Sequence, residues 1–268
     1  MSLSLKKFAA DKLAVLESKK LKRTLKVDWR TDGLWIERSG RRMLSFSCND
    51  YLNLSHHPKV KAAAQAAVET YGAGAAASRL ITGNHPLLDE LERKLAAFKG
   101  AEAACVFGSG YLANIGIAPT LMREGDVIFI DEWAHSCMFS GAKLSGATVY
   151  VFRHNDVSHL ADLISMHRAS HQHALVLTDG VFSMDGDLAP LDKISALCDE
   201  NDIWLLSDDA HGLGVVGEGR GAAHAFGAIN VPLQMGTLSK SAGSYGGYLC
   251  SSNEVIDFIK TRARTVVY

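Results

Sequence analysis

A lysine among small residues is the side chain in this sequence best suited to covalent chemistry. Lys240 follows Gly236-Thr237-Leu238-Ser239 and precedes Ser241-Ala242-Gly243. Small neighbours allow a ligand to approach closely, and a lysine whose pKa is lowered by its surroundings can form a Schiff base with a carbonyl group. Thr237, three residues earlier, could bond a phosphate. The alternative is that Lys240 is an ordinary solvated lysine in a loop. The prediction of a Schiff-base lysine therefore depends on the other polar segments described below.

A second segment, Asp208-Asp209-Ala210-His211-Gly212, follows an apolar run that is typical of a buried strand. A carboxylate at the end of such a strand is costly unless a charged partner faces it, and a protonated heterocyclic nitrogen is such a partner. At about 3 Å and an effective dielectric of about 20, the Coulomb energy is roughly 5 kcal/mol before desolvation. An Asp/His metal site is the rival interpretation, although the sequence offers no third ligand nearby.

Three further segments follow predicted strands. Gly108-Ser109-Gly110-Tyr111 stands between a strand and a helix, where backbone N–H groups can bind a phosphate, although it is also an ordinary tight turn. His135 could stack on a flat cofactor or could cap a helix. Ser183 is free to donate a hydrogen bond, because the nearby Asp185-Gly186-Asp187 lacks the other ligands of a calcium site.

Together these segments match the parts of a pyridoxal 5'-phosphate (PLP) site. In chain order they supply a phosphate-binding loop, a ring that can stack, a carboxylate for the pyridinium nitrogen and a Schiff-base lysine. We therefore predict a PLP enzyme that is anchored through Lys240 and has no metal site.

The elements that must position these residues alternate along the chain. Continuous apolar runs predict strands, and helical periodicity predicts helices between them. This alternation predicts an α/β fold with a mostly parallel central sheet covered by helices. Ligands of such sheets bind beyond the carboxyl ends of the strands. The predicted strands are 103–107, 127–130, 148–152, 174–178, 203–207 and 247–251, and the predicted helices are 86–99, 111–122, 136–144, 158–167, 190–200 and 253–264.

The first 47 residues have a different pattern. Apolar residues recur at roughly helical spacing over residues 3–22, and two short strands, 34–38 and 43–47, flank a Ser39-Gly40 turn. We therefore predict an N-terminal extension of helix and hairpin, residues 1–47, followed by a PLP-binding large domain, residues 48–268.

Composition narrows the class of partner. The 28 basic and 29 acidic residues give a formal net charge of −1, which provides no field to attract nucleic acid or an anionic membrane. Five scattered cysteines without C-x-x-C spacing indicate reduced thiols. The N-terminus lacks the pattern of a signal peptide, and no apolar run approaches the length of about 18 residues needed to span a membrane. We expect a cytoplasmic protein that acts on small molecules.

Six ordered motifs carry a resemblance to a known family. They are Asn49–Leu54, Ser78–His85, Gly108–Asn114, Phe182–Asp187, Asp208–Gly212 and Gly236–Lys240. With these motifs, the sequence resembles the α-oxoamine synthases, which belong to the fold type I PLP enzymes. The resemblance extends from about residue 20 to the end of the chain. It implies the large domain of a fold type I PLP transferase.

The resemblance also implies a role for each candidate residue. Lys240 holds PLP as a Schiff base and later removes a proton from the amino acid, and Asp208 pairs with the pyridinium nitrogen. His211 and Ser183 hydrogen-bond the phenolic oxygen of the cofactor. His135 stacks on the ring and takes part in catalysis. The implied phosphate site is Gly110, Tyr111 and Thr237, and the implied substrate site is Arg23, Asn49 and His135.

The implied reaction is the decarboxylative condensation of an amino acid with an acyl thioester, namely L-alanine with pimeloyl-CoA in biotin biosynthesis. The implied enzyme is a homodimer with a shared active site. Family members carry a further, small C-terminal domain, and we expect the chain to stop before it. Three alternatives stay open: another α-oxoamine synthase, of the 2-amino-3-ketobutyrate CoA ligase or serine palmitoyltransferase type; a chain that binds PLP without turnover; and an aminotransferase on the same fold.

Overall fold

The N-terminal region forms a helix and a small sheet. The computed structural model describes residues 3–30, 33–227 and 229–268, and the chain divides into two units, 1–47 and 48–268. In the first unit, α1 spans Leu3–Ser18, and the strands β1 (Trp29–Arg30), β2 (Trp35–Arg38) and β3 (Arg41–Leu44) pair antiparallel. The helix is shorter than predicted because Lys20 has a positive φ of 56°, which a helix does not accommodate.

The predicted hairpin is present with its strands shifted by up to three residues. Its turn lies at Ser39 and Gly40, with φ angles of 51° and 73°. Two consecutive positive φ angles are typical of the type I′ turn that joins tightly paired antiparallel strands.

The second unit alternates strands and helices. Prolines and histidines mark two helix starts, since Pro58 and Pro86 occupy the first helical position and His57 and His85 cap it. The strands are β4 (Ala103–Phe107), β5 (Val127–Asp131), β6 (Thr148–Phe152), β7 (Ala174–Asp179), β8 (Trp204–Asp208), β9 (Leu233–Thr237) and β10 (Gly247–Ser251). The helices are α2 (Pro58–Tyr71), α3 (Pro86–Lys99), α4 (Gly110–Leu121), α5 (Ser136–Ser145), α6 (Val157–His167), α7 (Leu191–Glu200), α8 (Ala222–Ala225), α9 (Asn253–Arg262) and α10 (Arg264–Val267).

In the described part of the chain, these strands form a seven-stranded sheet in the order β4-β10-β9-β8-β7-β5-β6. Strand β10 is antiparallel to both neighbours, and the other pairs are parallel. The carboxyl ends of the remaining six strands therefore meet at one edge. The predicted α/β fold with a mostly parallel sheet is confirmed.

Helices cover both faces of this sheet. Alternate residues of β5 belong to different cores: Ile128 and Ile130 pack with α4, α5 and α9, whereas Val127 and Phe129 pack with α6, α7 and α8. All four side chains are fully buried. A strand buried on both faces explains why its sequence is continuously apolar rather than alternating.

Five elements were not predicted: the short elements β1, α8 and α10, strand β9 and helix α2. Strand β9 contains Gly236, whose missing side chain leaves room for the ring of Tyr248, because a Cβ there would lie 2.4 Å from the tyrosine oxygen. Gly236 and Gln234 interrupt the apolar run that would have revealed the strand. Helix α2 carries only three large apolar side chains, Val60, Val68 and Tyr71, which are too few to give the apolar periodicity by which a helix is recognised.

The cysteines are free thiols, as expected. Four of them are buried, and burial raises the pKa of each of these thiols to about 12. Such thiols are protonated and unreactive at neutral pH. Among the helices that the structure describes, none is both long and apolar enough to cross a membrane.

Candidate active site

A cavity of about 190 Å³ opens at the carboxyl edge of the seven-stranded sheet. The loops that follow β4, β5, β7, β8 and β9 line it, as expected for a ligand site in a parallel sheet. It brings together eight predicted residues from distant parts of the sequence. They are Gly110, Tyr111, His135, Ser183, Asp208, His211, Thr237 and Lys240.

The two other predicted residues are placed differently. Asn49 is outside the cavity lining, but its side-chain oxygen accepts a hydrogen bond from the hydroxyl of Tyr51 at 3.4 Å, and Tyr51 contacts His211 in the cavity wall. Arg23 is an exposed residue of the first unit. Its place in the substrate site therefore stays a prediction, as do the roles assigned to the other site residues.

Two buried acids lie side by side at the closed end of the cavity. Asp179 and Asp208 end the neighbouring strands β7 and β8 and are paired in register. Asp208 accepts hydrogen bonds from the backbone N–H of Ala210 at 2.9 Å and from the amide of Asn114 at 2.7 Å. Burial raises the pKa of both carboxyl groups, that of Asp179 to about 9, and their mutual repulsion adds to the effect on Asp179.

Sequence reasoning identified Asp208 but missed Asp179 and Asn114. The sequence carried the same signal for Asp179 as for Asp208: each is an acid at the end of a buried apolar strand. Asn114 belongs to the Gly108–Asn114 motif, but nothing in the sequence shows that its amide reaches Asp208.

A chain of polar groups connects Lys240 to the rim of the cavity. The amine of Lys240 lies 2.7 Å from Nε2 of His211, and Nδ1 of the same ring lies 2.7 Å from the hydroxyl of Tyr51. Burial, followed by the charges of Lys240 and His135, lowers the pKa of His211 to about 4. The ring is therefore neutral at pH 7. With Lys240 protonated, Nε2 accepts its hydrogen bond and Nδ1–H donates to Tyr51.

Burial also lowers the pKa of Lys240, while the charges of Asp208 and Asp179 partly oppose this effect. A buried amine with a lowered pKa is neutral more often than a solvated one, which is the condition for attack on a carbonyl carbon. Tyr51 was missed as a site residue, although it belongs to the Asn49–Leu54 motif on which the family resemblance was based.

The loop after β4 leads into the N-terminus of α4, whose first N–H groups have no acceptor within the helix. Ser109 caps the helix by accepting a hydrogen bond from the backbone of Leu112 at 3.1 Å. Gly110 lies close to β9, since a Cβ there would be 3.3 Å from Thr237. The hydroxyl of Thr237 itself donates to the carbonyl of Gly246 at 2.8 Å, so its proton is engaged in this structure.

His135 and Ser183 form two further walls. His135 caps α5, where its Nδ1 accepts a hydrogen bond from the backbone of Cys137 at 3.3 Å. The backbone of His135 lowers the pKa of the Asp179 carboxyl group and so partly opposes the effect of burial. Ser183 is an exposed residue of the loop after β7.

These residues fit PLP. Burial raises the pKa values of the two acids, and the charge of Lys240 only partly opposes this effect; a protonated ring nitrogen would supply a further positive charge beside them. The N-terminus of α4 suits a phosphate, because its first backbone N–H groups have no acceptor within the helix. Lys240 provides an amine with a lowered pKa between these groups.

Comparisons with known proteins agree with this assignment. The profile of the class I and II aminotransferase family matches residues 41–268. An 8-amino-7-oxononanoate synthase of Beijerinckia indica is 64% identical over 266 residues, which cover 99% of this chain and 69% of that protein.

Solved structures give the same result. A lysine-to-alanine variant of serine palmitoyltransferase from S. paucimobilis with a bound PLP–myriocin aldimine superposes with a TM-score of 0.91 at 28% identity, over 100% of this chain and 70% of that one. An 8-amino-7-oxononanoate synthase from Francisella tularensis superposes with a TM-score of 0.71 at 29% identity, over 83% of this chain and 62% of that one. The predicted cofactor, PLP, is confirmed by these relationships. The chain belongs to the class I and II aminotransferase family of fold type I PLP enzymes and, within it, to the 8-amino-7-oxononanoate synthases.

Proposed function

We propose that this chain catalyses the PLP-dependent condensation of L-alanine with pimeloyl-CoA, which yields 8-amino-7-oxononanoate, CoA and carbon dioxide in biotin biosynthesis. The observation that carries the proposal is the cavity that holds the amine of Lys240 and the buried carboxyl group of Asp208. The high identity to an 8-amino-7-oxononanoate synthase supports this choice of substrates over those of other family members.

Bound PLP supplies an aldehyde that combines with amines and a protonated ring that withdraws electrons from the carbon beside the nitrogen. Lys240 is the amine of this chain that would attach it. Asp208 would keep a proton on the ring nitrogen, because two neutral donors already hold its carboxylate in place. The N-terminus of α4, beginning at Gly110 and Tyr111, would hold the phosphate.

Proton transfer depends on the environment of Lys240. Its lowered pKa allows the amine to accept a proton from the amino acid, which is the role of a general base. Nε2 of His211 lies within hydrogen-bond distance and keeps the amine oriented. The ring of His211 is neutral at pH 7. It therefore adds no positive charge that would repel the protonated ring nitrogen of PLP expected beside Asp208.

The first experiment tests the anchor. We expect the wild-type chain to retain PLP covalently after borohydride reduction and Lys240→Ala to retain none, with Lys193→Ala, at an exposed lysine of α7, as the matched control. Covalent PLP in Lys240→Ala that maps to another lysine would overturn the assignment.

The second experiment tests turnover. We expect release of CoA when the PLP-loaded chain is mixed with L-alanine and pimeloyl-CoA, and much less release when glycine or serine replaces alanine. Covalent PLP without CoA release for any pair would contradict the proposed activity and favour a chain that binds PLP without turnover. Conversion of PLP to its amine form by L-alanine alone would favour an aminotransferase.

We also infer a homodimer with a shared active site and a cytoplasmic location. Membership of the synthase family supports both. Light scattering coupled to size-exclusion chromatography measures the first, and we expect twice the mass of one chain. Fractionation of cells that express the protein measures the second.

A further inference from the structure

A histidine that the proposed chemistry does not use lies between two carboxylates beside the cavity. Nδ1 of His154 is 3.1 Å from Oδ1 of Asp131, and its Nε2 is 2.7 Å from Oδ2 of Asp187. The ring stacks on Trp133, with centroids 4.0 Å apart, and meets the edge of Phe182 at 4.4 Å. Only 12% of the His154 side chain is exposed, and Asp131 is fully buried.

The geometry fixes the charge of this ring. Carboxylates only accept hydrogen bonds, and a neutral imidazole carries a proton on one nitrogen alone. Both nitrogens of His154 face carboxylate oxygens at hydrogen-bond distance, and a positively charged ring donates to both of them. The side-chain amide of Asn155 also lies 3.1 Å from Nε2, but its two protons have other acceptors, the Asp187 carboxylate at 2.8 Å and the carbonyl of Leu188 at 3.4 Å. The raised pKa of His154 has the same cause, since hydrogen bonds to the two acids outweigh the effect of burial.

Asp131 organises the loop that leads to His135. Its Oδ1 also accepts from the backbone N–H of Trp133 at 2.8 Å, and its Oδ2 accepts from the backbone N–H of Asn155 at 2.9 Å. The carbonyl of Asp131 accepts from Ala134 at 3.0 Å. His135, the next residue, lines the cavity. The position of that cavity wall therefore depends on the carboxylate that His154 contacts.

Asp187 closes the loop that carries Ser183. The backbone N–H of Phe182 donates to the carbonyl of Asp187 at 2.9 Å, and the side-chain amide of Asn155 donates to the Asp187 carboxylate at 2.8 Å. Ser183 lies inside the turn that this contact closes and lines the cavity from the other side. His154 is thus bonded to the bases of two loops that face one ligand.

We propose that His154, as a cation, is a positioning residue that joins the His135 loop to the Ser183 loop and so sets their separation across the PLP pocket. The inference rests on the proposed function for the identity of the ligand. The positive charge of His154 between its two carboxylates does not depend on the proposed function.

The bridge is sensitive to pH in one direction. The charged and titratable groups that face His154 are the acids Asp131 and Asp187, with Glu132 accepting from its backbone N–H at 2.8 Å. The folded-state pKa of His154 is raised, so its contribution is complete below the unfolded value of about 6.5 and is lost as the pH rises through the folded value. The two loops should therefore separate more easily in alkaline solution.

Two variants and a control test the proposal. His154→Gln removes the charge, whereas Asp187→Asn removes one acid at a partly exposed position and spares the buried Asp131. His167→Gln is the control, because His167 also stacks on an aromatic ring, that of Tyr150 at 3.8 Å, but is in none of the ion pairs found among the described residues.

We expect each of the two variants to weaken PLP binding about tenfold at pH 6.5, the equivalent of one charged hydrogen bond, and the control to leave it unchanged. The advantage of the wild type over His154→Gln should shrink as the pH rises, a trend that ring packing alone would not produce. Fluorescence titration with PLP measures both.

Nuclear magnetic resonance of the unliganded chain provides the independent readout. We expect the titration midpoint of His154 to lie above its ordinary value of about 6.5, because two carboxylates accept from the ring, and to fall in Asp187→Asn. A midpoint of 6.5 or below would overturn the charged bridge, and unchanged PLP affinity in both variants would overturn the positioning role. Failure of the wild type to bind PLP at all would instead contradict the proposed function while leaving the titration result to decide the bridge.

Discussion

Substitution of Lys99 by alanine is the sharpest test of how the acid-bearing loop is held. The amine of Lys99, at the end of α3, lies 2.7 Å from Oδ2 of Asp209 and also donates to the carbonyl of Arg220. The side chains of Lys99 and Asp209 are 0% and 4% exposed. Asp209 stands directly after Asp208 and accepts from the backbone N–H of Ala222 at 2.9 Å through its other oxygen.

Lys99→Ala leaves the Asp209 carboxylate buried without its cation. Breaking a buried ion pair from one side costs about 3–5 kcal/mol, because the remaining charge keeps its desolvation penalty and loses its partner. For a chain of this size, that loss lowers Tm by roughly 6–20 °C. We also expect weaker PLP binding, since Asp208 is the neighbouring residue and its orientation follows from the same loop.

Urea unfolding followed by tryptophan fluorescence measures the free energy of unfolding. Lys94→Ala is the matched control: Lys94 is in the same helix and pairs with Glu90 at 2.6 Å, but 73% of its side chain is exposed, so its removal should cost about 0.5 kcal/mol or less. A loss below about 1 kcal/mol in Lys99→Ala, with an unchanged m value, would refute the argument from burial.

Two further outcomes follow from the cavity. The folded-state pKa of Asp179 is raised to about 9 by burial, so the contribution of this group to the stability of the unliganded chain falls as the pH rises from about 4 to about 9. Asp179→Asn should therefore raise Tm at pH 7 by a few degrees and remove this part of the pH dependence in calorimetry, and a lower Tm would contradict this. Gly247→Ala places a Cβ 2.5 Å from the carbonyl of Ser109 and so displaces the loop after β4. We expect the free energy of unfolding in urea to fall by about 1–3 kcal/mol and PLP binding in fluorescence titration to weaken at least tenfold. Wild-type affinity would show that Ser109 and Gly110 do not hold the phosphate.

Much of the fold could be predicted because its strongest signals are local. Strands β4, β6 and β10 occur with the predicted bounds, since each is a short run rich in apolar and β-forming residues. Strand β9 was missed because its character depends on Tyr248, a neighbour on another strand that fills the space over Gly236. The sequence shows the glycine that this close approach requires, but it does not show which side chain packs against that glycine.

The site divides in the same way. Lys240 could be predicted because it is a lysine among small residues, and Asp208 because it is an acid at the end of a buried strand. Tyr51 could not, because its contact with His211 joins residues far apart in the sequence, at 2.7 Å. Tertiary structure creates this contact, and one sequence carries no record of it.

The antiparallel strand β10 has a consequence for the order in which the chain can assemble. In the described residues, β4 is an edge strand whose only partner is β10, and Phe107 pairs with Gly247. A ribosome that has completed β4 must therefore synthesise every later strand before β4 can join the sheet. During that time its apolar residues lack their final cover and are open to chaperones or to aggregation. Because Ser109 and Gly110, which are proposed to hold the phosphate, follow β4 directly, this wall of the pocket can take its place only after β10 has been synthesised.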